Sequence, residues 1–316
     1  MKKNILILTT GGTIEMKKAR NGVIPDVNDR VLEKSFEYLN SFINYDHIEI
    51  CNLPSPHIDM KILDSLHKKI LENLDKYDGI VITHGTDVLE DTAYFLNITI
   101  STQKPIVLTA AMRSMDEVGS DGPRNLISAC RVAASEEAKG NGVLVVTNDE
   151  IHYGEDVNKT YTSNVATFDS PGFGPLGLVD DDAVIFYRKP VERNTYKYVG
   201  FHDKVAIIKS RIGDDGLLAK YALEKYNGIV VEGFGRGNIP PKLAKVIKEY
   251  SRKKPIILTT RCFKGRVLDV YGYEGGGKDL KEAGVILAPH LTTQKAAIKL
   301  MILLKSYSTE EIRRMF

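Results

Sequence analysis

Short runs of apolar, mostly β-branched residues alternate along this chain with longer segments whose apolar residues recur every three or four positions. The short runs predict buried strands of a parallel sheet, and the longer segments predict amphipathic helices. The predicted strands are Ile5–Leu8, Ile80–Thr83, Ile106–Thr109, Val143–Thr147, Val205–Ile208, Ile229–Glu232, Ile256–Thr259 and Val285–Leu287. The predicted helices include Met60–Leu74, Lys242–Ser251, Thr293–Lys305 and Thr309–Met315. This alternation indicates an α/β fold.

Part of the pattern occurs twice. The segment Asp75–Val81 is similar to Glu224–Val230, and each is followed at nearly the same distance by a Lys-Pro strand, Lys104–Thr109 and Lys254–Thr259. Apolar strands can look alike by chance, but the matched spacing favours two α/β halves of related design. The charged, proline-containing stretch 188–195 predicts a linker. We therefore predict a larger domain over 1–188, a linker over 189–203 and a smaller domain over 204–316.

Composition narrows the class of protein. The 316 residues carry 43 Lys and Arg against 41 Asp and Glu, a net charge of +2 without a long block of one sign, so nucleic acid is not predicted as the main partner. No apolar stretch has the length of a membrane span or a secretion signal. The three cysteines are scattered, which is typical of a reducing compartment and favours the cytoplasm. The histidines lack a compact ligand spacing, so no metal is predicted.

Two threonine-glycine elements, Thr9–Ile14 and Thr83–Asp87, follow directly on predicted strands. The carboxyl ends of parallel strands meet at one edge, so both elements are expected to face the same crevice. Hydroxyls, unhindered glycine amides and a carboxylate are the groups that an acyl-transfer site needs. Taken singly, each element could also be a tight turn, with Thr86 or Asp87 capping the next helix.

Two other glycine patterns resemble nucleotide-binding loops only in their letters. Gly172–Gly177 matches a dinucleotide fingerprint, but it contains Pro175 and does not open a helix after a strand. Gly272–Asp279 lacks the Ser or Thr that ends a phosphate-binding loop. Neither pattern predicts a nucleotide site.

Together the two threonine-glycine elements resemble the signature motifs of the asparaginase/glutaminase family of amidohydrolases. The resemblance extends over nearly the whole chain through Ala110–Ser114, Ser120–Leu126, Asp156–Thr160, Ala166–Phe168, Gly174–Gly177, Gly235–Pro240 and Leu291–Ala296. The fold expected is a larger N-terminal domain with a mixed, mainly parallel sheet flanked by helices, and a smaller α/β C-terminal domain with a parallel sheet.

The resemblance also implies roles for individual residues. Thr13 occupies the position of the attacking threonine, while Thr86, Asp87 and Lys159 occupy those of the second catalytic group, with the protonation of the lysine left open. Asp87 is also expected to bind the substrate ammonium. The remaining implied substrate-binding residues are Gly12, Ser55, Gly85, Thr86 and Ala111, with Asn238 and Glu274 as possible contributions from a partner subunit.

The implied activity is hydrolysis of L-asparagine to L-aspartate and ammonia through an acyl-enzyme, without metal or cofactor, by a cytoplasmic homo-oligomer, dimer or tetramer. Two departures qualify it: no tyrosine lies between Glu15 and Phe36, where many relatives have one on a lid, and Glu15 replaces a usually small residue. A glutamine-preferring amidohydrolase, an amidotransferase subunit acting with tRNA and a catalytically weak amino-acid-binding or regulatory protein stay open as alternatives. A nucleotide-binding enzyme using Gly272–Lys278 is a more distant one.

Overall fold

The computed structural model describes residues 2–19, 22–25, 33–191, 193–202 and 204–316. Contacts along the chain divide it into two compact units, Met1–Thr195 and Tyr196–Phe316. This division falls within the predicted linker 189–203, of which residues 192 and 203 lie outside the described residues. The domain limits 1–188 and 204–316 stay a prediction.

The N-terminal unit is built around one large sheet. The strands of the whole unit are β1 Lys3–Gly11, β2 Met16–Ala19, β3 Gly22–Pro25, β4 Ile43–Leu53, β5 Gly79–Thr83, β6 Ile106–Thr109, β7 Val143–Thr147, β8 Glu150–Tyr153, β9 Asn158–Lys159, β10 Phe168–Asp169, β11 Gly177–Asp180 and β12 Ala183–Phe186. Strands β2 and β3 pair with each other outside the large sheet, as do β9 and β10. Its helices are α1 Glu33–Leu39, α2 Met60–Asn73, α3 Leu89–Thr99 and α4 Gly122–Ala134.

The order of the eight-stranded sheet is β12-β11-β8-β7-β6-β5-β1-β4. Strands β4, β1, β5, β6 and β7 run parallel, and β8, β11 and β12 continue the sheet in antiparallel pairs. The chain leaves β1 toward one edge and leaves β5 toward the other, so a topological switch point lies between these two strands. Ligands of open α/β sheets bind at the carboxyl ends of strands at such a point.

Burial on both faces explains why β1 reads as a continuous apolar run. Ile5 and Ile7 pack into the core cluster that α4 covers, and Leu6 and Leu8 are also fully buried. Strand β4 lies at the sheet edge and alternates exposed with partly buried positions. Its mixed polar sequence therefore lacks the continuous apolar signal, and it was not among the predicted strands. Helix α4 was not predicted either.

The C-terminal unit is a smaller three-layer structure. Its strands are β13 Val205–Lys209, β14 Gly228–Gly233, β15 Ile256–Thr260 and β16 Ile286–Leu287, and its helices are α5 Leu217–Lys225, α6 Pro241–Tyr250, α7 Gly277–Ala283, α8 Thr293–Ser306 and α9 Thr309–Met315. The sheet is entirely parallel in the order β13-β14-β15-β16. Side chains of α5, α6 and α7 form one core cluster, and those of α8 and α9 form another. The predicted fold class is confirmed.

The predicted elements are found with small shifts of their ends. All eight predicted strands are present, and the predicted helix Met60–Leu74 ends one residue earlier, at Asn73. Asp59 caps its first turn by accepting hydrogen bonds from the amides of Lys61 and Ile62. The last helix, α9, opens with a capping box between Ser308 and Glu311.

Candidate active site

The first threonine-glycine element turns sharply where β1 ends. Gly11 and Gly12 have φ values of 90° and 86°, which favour glycine over any residue with a side chain. The Gly12 amide donates a hydrogen bond to the Leu53 carbonyl, 3.0 Å away, at the end of β4. A short 3-10 turn over Thr13–Glu15 follows, and it leaves Thr13 partly buried. The turn thus presents Thr13 at the carboxyl edge of the sheet.

The two threonine-glycine elements touch through their glycines. A Cβ on Gly12 would collide with the backbone of Gly85, and a Cβ on Gly85 would lie 2.5 Å from the Ser55 Cβ. Side chains at either glycine would therefore push the two loops apart. The structure brings Gly12, Ser55 and Gly85 together. Thr13 and Thr86 each directly follow one of the two glycines that are in contact.

The Gly85 carbonyl is held from two sides. The His84 Nδ1 and the Ser55 Oγ each lie 2.8 Å from it. A carbonyl oxygen only accepts, so Nδ1 carries the proton and Nε2 accepts from the Thr92 hydroxyl, 3.0 Å away. Complete burial lowers the pKa of His84 to about 4, so the ring is neutral at physiological pH.

This clamp sets the direction of the next amide. The described residues contain no cis peptide, and in a trans peptide the N–H points opposite to the carbonyl. The Thr86 N–H therefore points away from His84 and Ser55. A backbone N–H fixed in this way can bind a carboxylate or a developing oxyanion without reorganising. Although His84 lies inside the second element, the sequence did not predict this role, because the role depends on burial.

Three of the predicted catalytic side chains meet beside this loop. The Lys159 Nζ donates to the Thr86 Oγ1 at 2.9 Å and to the Asp87 Oδ1 at 2.7 Å. The lysine side chain is 16% exposed, whereas that of Asp87 is 55% exposed. Lys159 is therefore enclosed against the threonine, while much of the carboxylate faces solvent. An accessible carboxylate can bind an ammonium group of a ligand.

In the structure Ser55 forms its hydrogen bonds with the backbone of the loop after β5. Its hydroxyl donates to the Gly85 carbonyl and accepts from the Val88 amide, 3.1 Å away, and the residue is 5% exposed. A serine hydroxyl has one proton to donate. In this conformation Ser55 holds the loop, and donating to a substrate carboxylate requires the hydroxyl to rotate away from Gly85. Its role as a substrate-binding residue stays a prediction.

Ala111 lies just after β6 and is buried with its side chain in the core of the N-terminal unit. The neighbouring backbone is fixed, because Asn125 donates to the Ala110 carbonyl and Asp121 accepts from the Met112 amide. Any contact of Ala111 with a ligand would therefore use its main-chain groups.

Asn238 and Glu274 belong to the C-terminal unit. Asn238 closes a turn with Phe234, and the Asn238 Oδ1 accepts from the Gly277 amide at 3.4 Å. Glu274 is exposed. Their assignment as contributions from a partner subunit stays a prediction.

Glu15, one of the departures noted in the sequence, contacts the second element. Its carboxylate accepts a hydrogen bond from the hydroxyl of Thr83, the last residue of β5. Burial, with the nearby charge of Glu15 adding to it, raises the pKa of Cys51 to about 11, so this thiol is not a reactive thiolate. In the stretch between Glu15 and Phe36, where many relatives have a lid, residues 20, 21 and 26–32 lie outside the described residues.

The two nucleotide-like glycine patterns have other contexts. Gly177 opens strand β11, not a helix. In the second pattern the Asp279 carboxylate accepts from the Gly275 amide at 2.8 Å and pairs with Lys248. This carboxylate occupies the place of a hydroxyl in a phosphate-binding loop. Within the described ranges, no group of His, Cys, Asp or Glu side chains could hold a metal ion.

Models of known families cover almost the whole chain. The asparaginase N-terminal domain matches residues 4–192, and the glutaminase/asparaginase C-terminal domain matches residues 204–316. The chain belongs to the asparaginase family. The resemblance inferred from its motifs is confirmed.

Individual asparaginases are similar to this chain over most of its length. The L-asparaginase of Bacillus licheniformis is 36% identical over 97% of this chain and 97% of its own. The probable L-asparaginase of Deinococcus radiodurans is 40% identical over 84% of this chain and 83% of its own. The crystal structure of the probable cytoplasmic L-asparaginase from Campylobacter jejuni superposes with a TM-score of 0.88 at 35% identity, covering 99% and 98% of the two chains. In the described part of this asparaginase-family chain, no helix has the length and apolarity to cross a membrane.

Proposed function

We propose that this protein hydrolyses L-asparagine to L-aspartate and ammonia through a threonine acyl-enzyme. The observation that carries the proposal is the Lys159–Thr86–Asp87 cluster, which lies beside the contact between Gly12 and Gly85. Relatives with the names L-asparaginase and probable L-asparaginase over most of the chain support the choice of substrate.

The reaction divides into two acyl transfers. The Thr13 hydroxyl attacks the side-chain carboxamide carbon, its proton goes to a neighbouring base, and the C–N bond breaks as the nitrogen leaves with a proton as ammonia. Water then attacks the resulting ester, which releases aspartate and restores the threonine hydroxyl. The Thr86 backbone N–H, whose direction the Gly85 carbonyl contacts set, is suited to stabilise the negative oxygen in both steps.

Lys159, Thr86 and Asp87 divide the remaining work. Lys159 holds the Thr86 hydroxyl in a fixed direction and, when neutral, can take a proton through it. The exposed carboxylate of Asp87 binds the substrate ammonium. Ser55 supports the site by donating a hydrogen bond to the Gly85 carbonyl, with or without a contact to the substrate carboxylate.

The test is ammonia release from a panel of L-asparagine, L-glutamine and simple primary amides. The purified protein should act best on asparagine, and Thr13→Ala and Thr86→Val should each lower kcat by at least about 10³-fold. Full activity in either variant would overturn the role of that threonine. Preference for glutamine would move the protein to the glutaminases, and tight binding of aspartate without turnover would make it a binding protein.

We further propose a cytoplasmic homo-oligomer in which Asn238 and Glu274 of one copy complete the site of another, with domains over 1–188 and 204–316. The similarity to a probable cytoplasmic L-asparaginase of Campylobacter jejuni and the three free cysteines support the compartment. Light scattering on the purified protein tests the assembly. Mixing Thr13→Ala with Glu274→Ala protein tests the shared site, since co-assembly of two inactive variants should restore part of the activity.

A further inference from the structure

Lys159 lies outside the large sheet. It belongs to β9, a strand of two residues that pairs with β10 in a separate two-stranded ribbon. The ladder that fixes β1 and β5 therefore does not fix the lysine. Other contacts must set the distance between its amine and Thr86.

One such contact comes from Glu90. Its carboxylate accepts a hydrogen bond from the backbone N–H of Lys159. Glu90 lies in the first turn of α3, where the helix dipole favours a negative charge. Helix α3 is itself firmly held, since Leu89, Thr92 and Ala93 are almost completely buried. Glu90 thus projects from a rigid element toward the ribbon.

The same short segment therefore holds both ends of the lysine. Thr86 and Asp87 contact the Nζ, and Glu90, four residues after Thr86, contacts the backbone N–H. Both contact points belong to the loop after β5 and the helix that continues it. One segment of the chain therefore fixes both the backbone N–H and the side-chain amine of Lys159.

We propose that Glu90 is a positioning residue that sets the Lys159 amine against the Thr86 hydroxyl and so controls the rate of the chemical step. The inference rests on the proposed function, and it adds a residue that acts on the site through its hydrogen bond to the Lys159 backbone N–H. A displacement of a catalytic group by about 1 Å can lower a rate about 100-fold.

Kinetics of two variants test the inference. Glu90→Ala removes the acceptor and should lower kcat for asparagine about 100-fold while KM changes less than about 3-fold. Glu90→Gln keeps an acceptor oxygen of the same reach and should return kcat to within about 5-fold of the parent. Glu72→Ala, which removes an exposed glutamate from α2, is the matched control and should leave kcat unchanged.

A double-mutant cycle separates positioning from general damage. In a Lys159→Met background Glu90→Ala should lower the residual rate less than about 3-fold, because the amine that it positions is gone. An equal loss in both backgrounds, or a kcat within about 3-fold of the parent in Glu90→Ala alone, overturns the inference. An unrescued Glu90→Gln variant with normal thermal stability does the same.

Hydrogen exchange gives a readout that does not depend on the substrate. The Lys159 amide should exchange faster in Glu90→Ala than in the parent and in Glu90→Gln. If the parent releases no ammonia from any amide of the panel, the proposed function fails, and exchange alone then decides the contact. Unchanged exchange in Glu90→Ala overturns the positioning role in either case.

Discussion

Strands β5 and β14 are supported in the same way where they begin, but the chain continues differently where they end. Lys104 and Lys254 lie two residues before the next strand, β6 or β15. Each donates to two carbonyls, one at the end of the helix and one in the turn that precede β5 or β14. The amides of Ile80 and Ile229 donate to the carbonyls of Pro105 and Pro255. These paired contacts are the structural counterpart of the repeat seen in the sequence.

The endings differ in where their polar groups point. After β14 the chain closes on itself, because Phe234 and Asn238 exchange backbone hydrogen bonds across a turn. After β5 the loop is instead held by the distant Ser55 and by its own His84, and it keeps Thr86 and Asp87 against Lys159. The repeated strand pair therefore carries the candidate catalytic groups only after β5, because side chains, and not a closed backbone turn, fix the loop there.

The largest test of this difference is Lys159→Met. The amine touches Thr86 and Asp87, so its removal should lower kcat about 10³-fold, or about 4 kcal/mol, with a folded protein of normal oligomeric state. The control is Lys104→Met, which removes a lysine that supports the chain before β5, at the opposite end of the same strand, and should leave kcat within about 3-fold. Equal losses in the two variants would mean that support and chemistry are not separate. Steady-state ammonia release provides the measurement.

The second test uses the buried imidazole at the β5 end, where the other copy has Gly233. The pKa of His84 is lowered to about 4 in the folded protein, while in the unfolded chain it is near 6.5. Below pH 6.5 the unfolded chain therefore takes up a proton that the folded protein does not. Stability is lost as pH falls from 6.5 to 4, by about 3 kcal/mol from this group.

Denaturation of the parent and of His84→Gln at several pH values measures that loss. Glutamine does not titrate, so the parent should lose about 3 kcal/mol more than the variant between pH 6.5 and 4, while the carboxylates contribute equally to both. Parallel stability curves would show that His84 is protonated in the folded protein as readily as in the unfolded one.

The third test asks whether the two supports are equivalent. Lys104→Met and Lys254→Met each leave two carbonyls without their charged donor and should each cost about 2 kcal/mol of unfolding free energy. Lys69→Met, which breaks an exposed pair with Glu72, should cost less than about 0.5 kcal/mol. If only one of the two lysine substitutions lowers the unfolding free energy, the two strand pairs are similar in sequence but not in how they are supported. Urea denaturation of each variant gives the comparison.

The smallest effect is expected for Gly235→Ala in the closed turn after β14. The nearest atom to a Cβ there is the Asn238 Nδ2 at 3.9 Å, so space is sufficient and only the φ of 50° is unfavourable. The variant should lose about 1 kcal/mol in thermal unfolding. A loss well above this value would show that the turn is packed more tightly than its backbone contacts indicate.

Much of the fold could be predicted because its signals are local. Buried parallel strands read as apolar runs, and the two threonine-glycine elements mark where β1 and β5 end. Strand β4 escaped prediction because an edge strand alternates polar with apolar residues, although its end carries the Leu53 carbonyl that anchors Gly12. The ribbon of β9 and β10 has strands of two residues, which are too short for any periodic signal.

The sequence by itself determined the α/β alternation, the repeated strand pair and the residue types of the site, since each depends on neighbours along the chain. Only the tertiary structure decided that Lys159 meets Thr86 across 73 residues, that Gly12 abuts Gly85, and that His84 and Ser55 share one carbonyl. These contacts depend on the packing of distant segments, and the pKa of His84 depends on the burial that the packing creates.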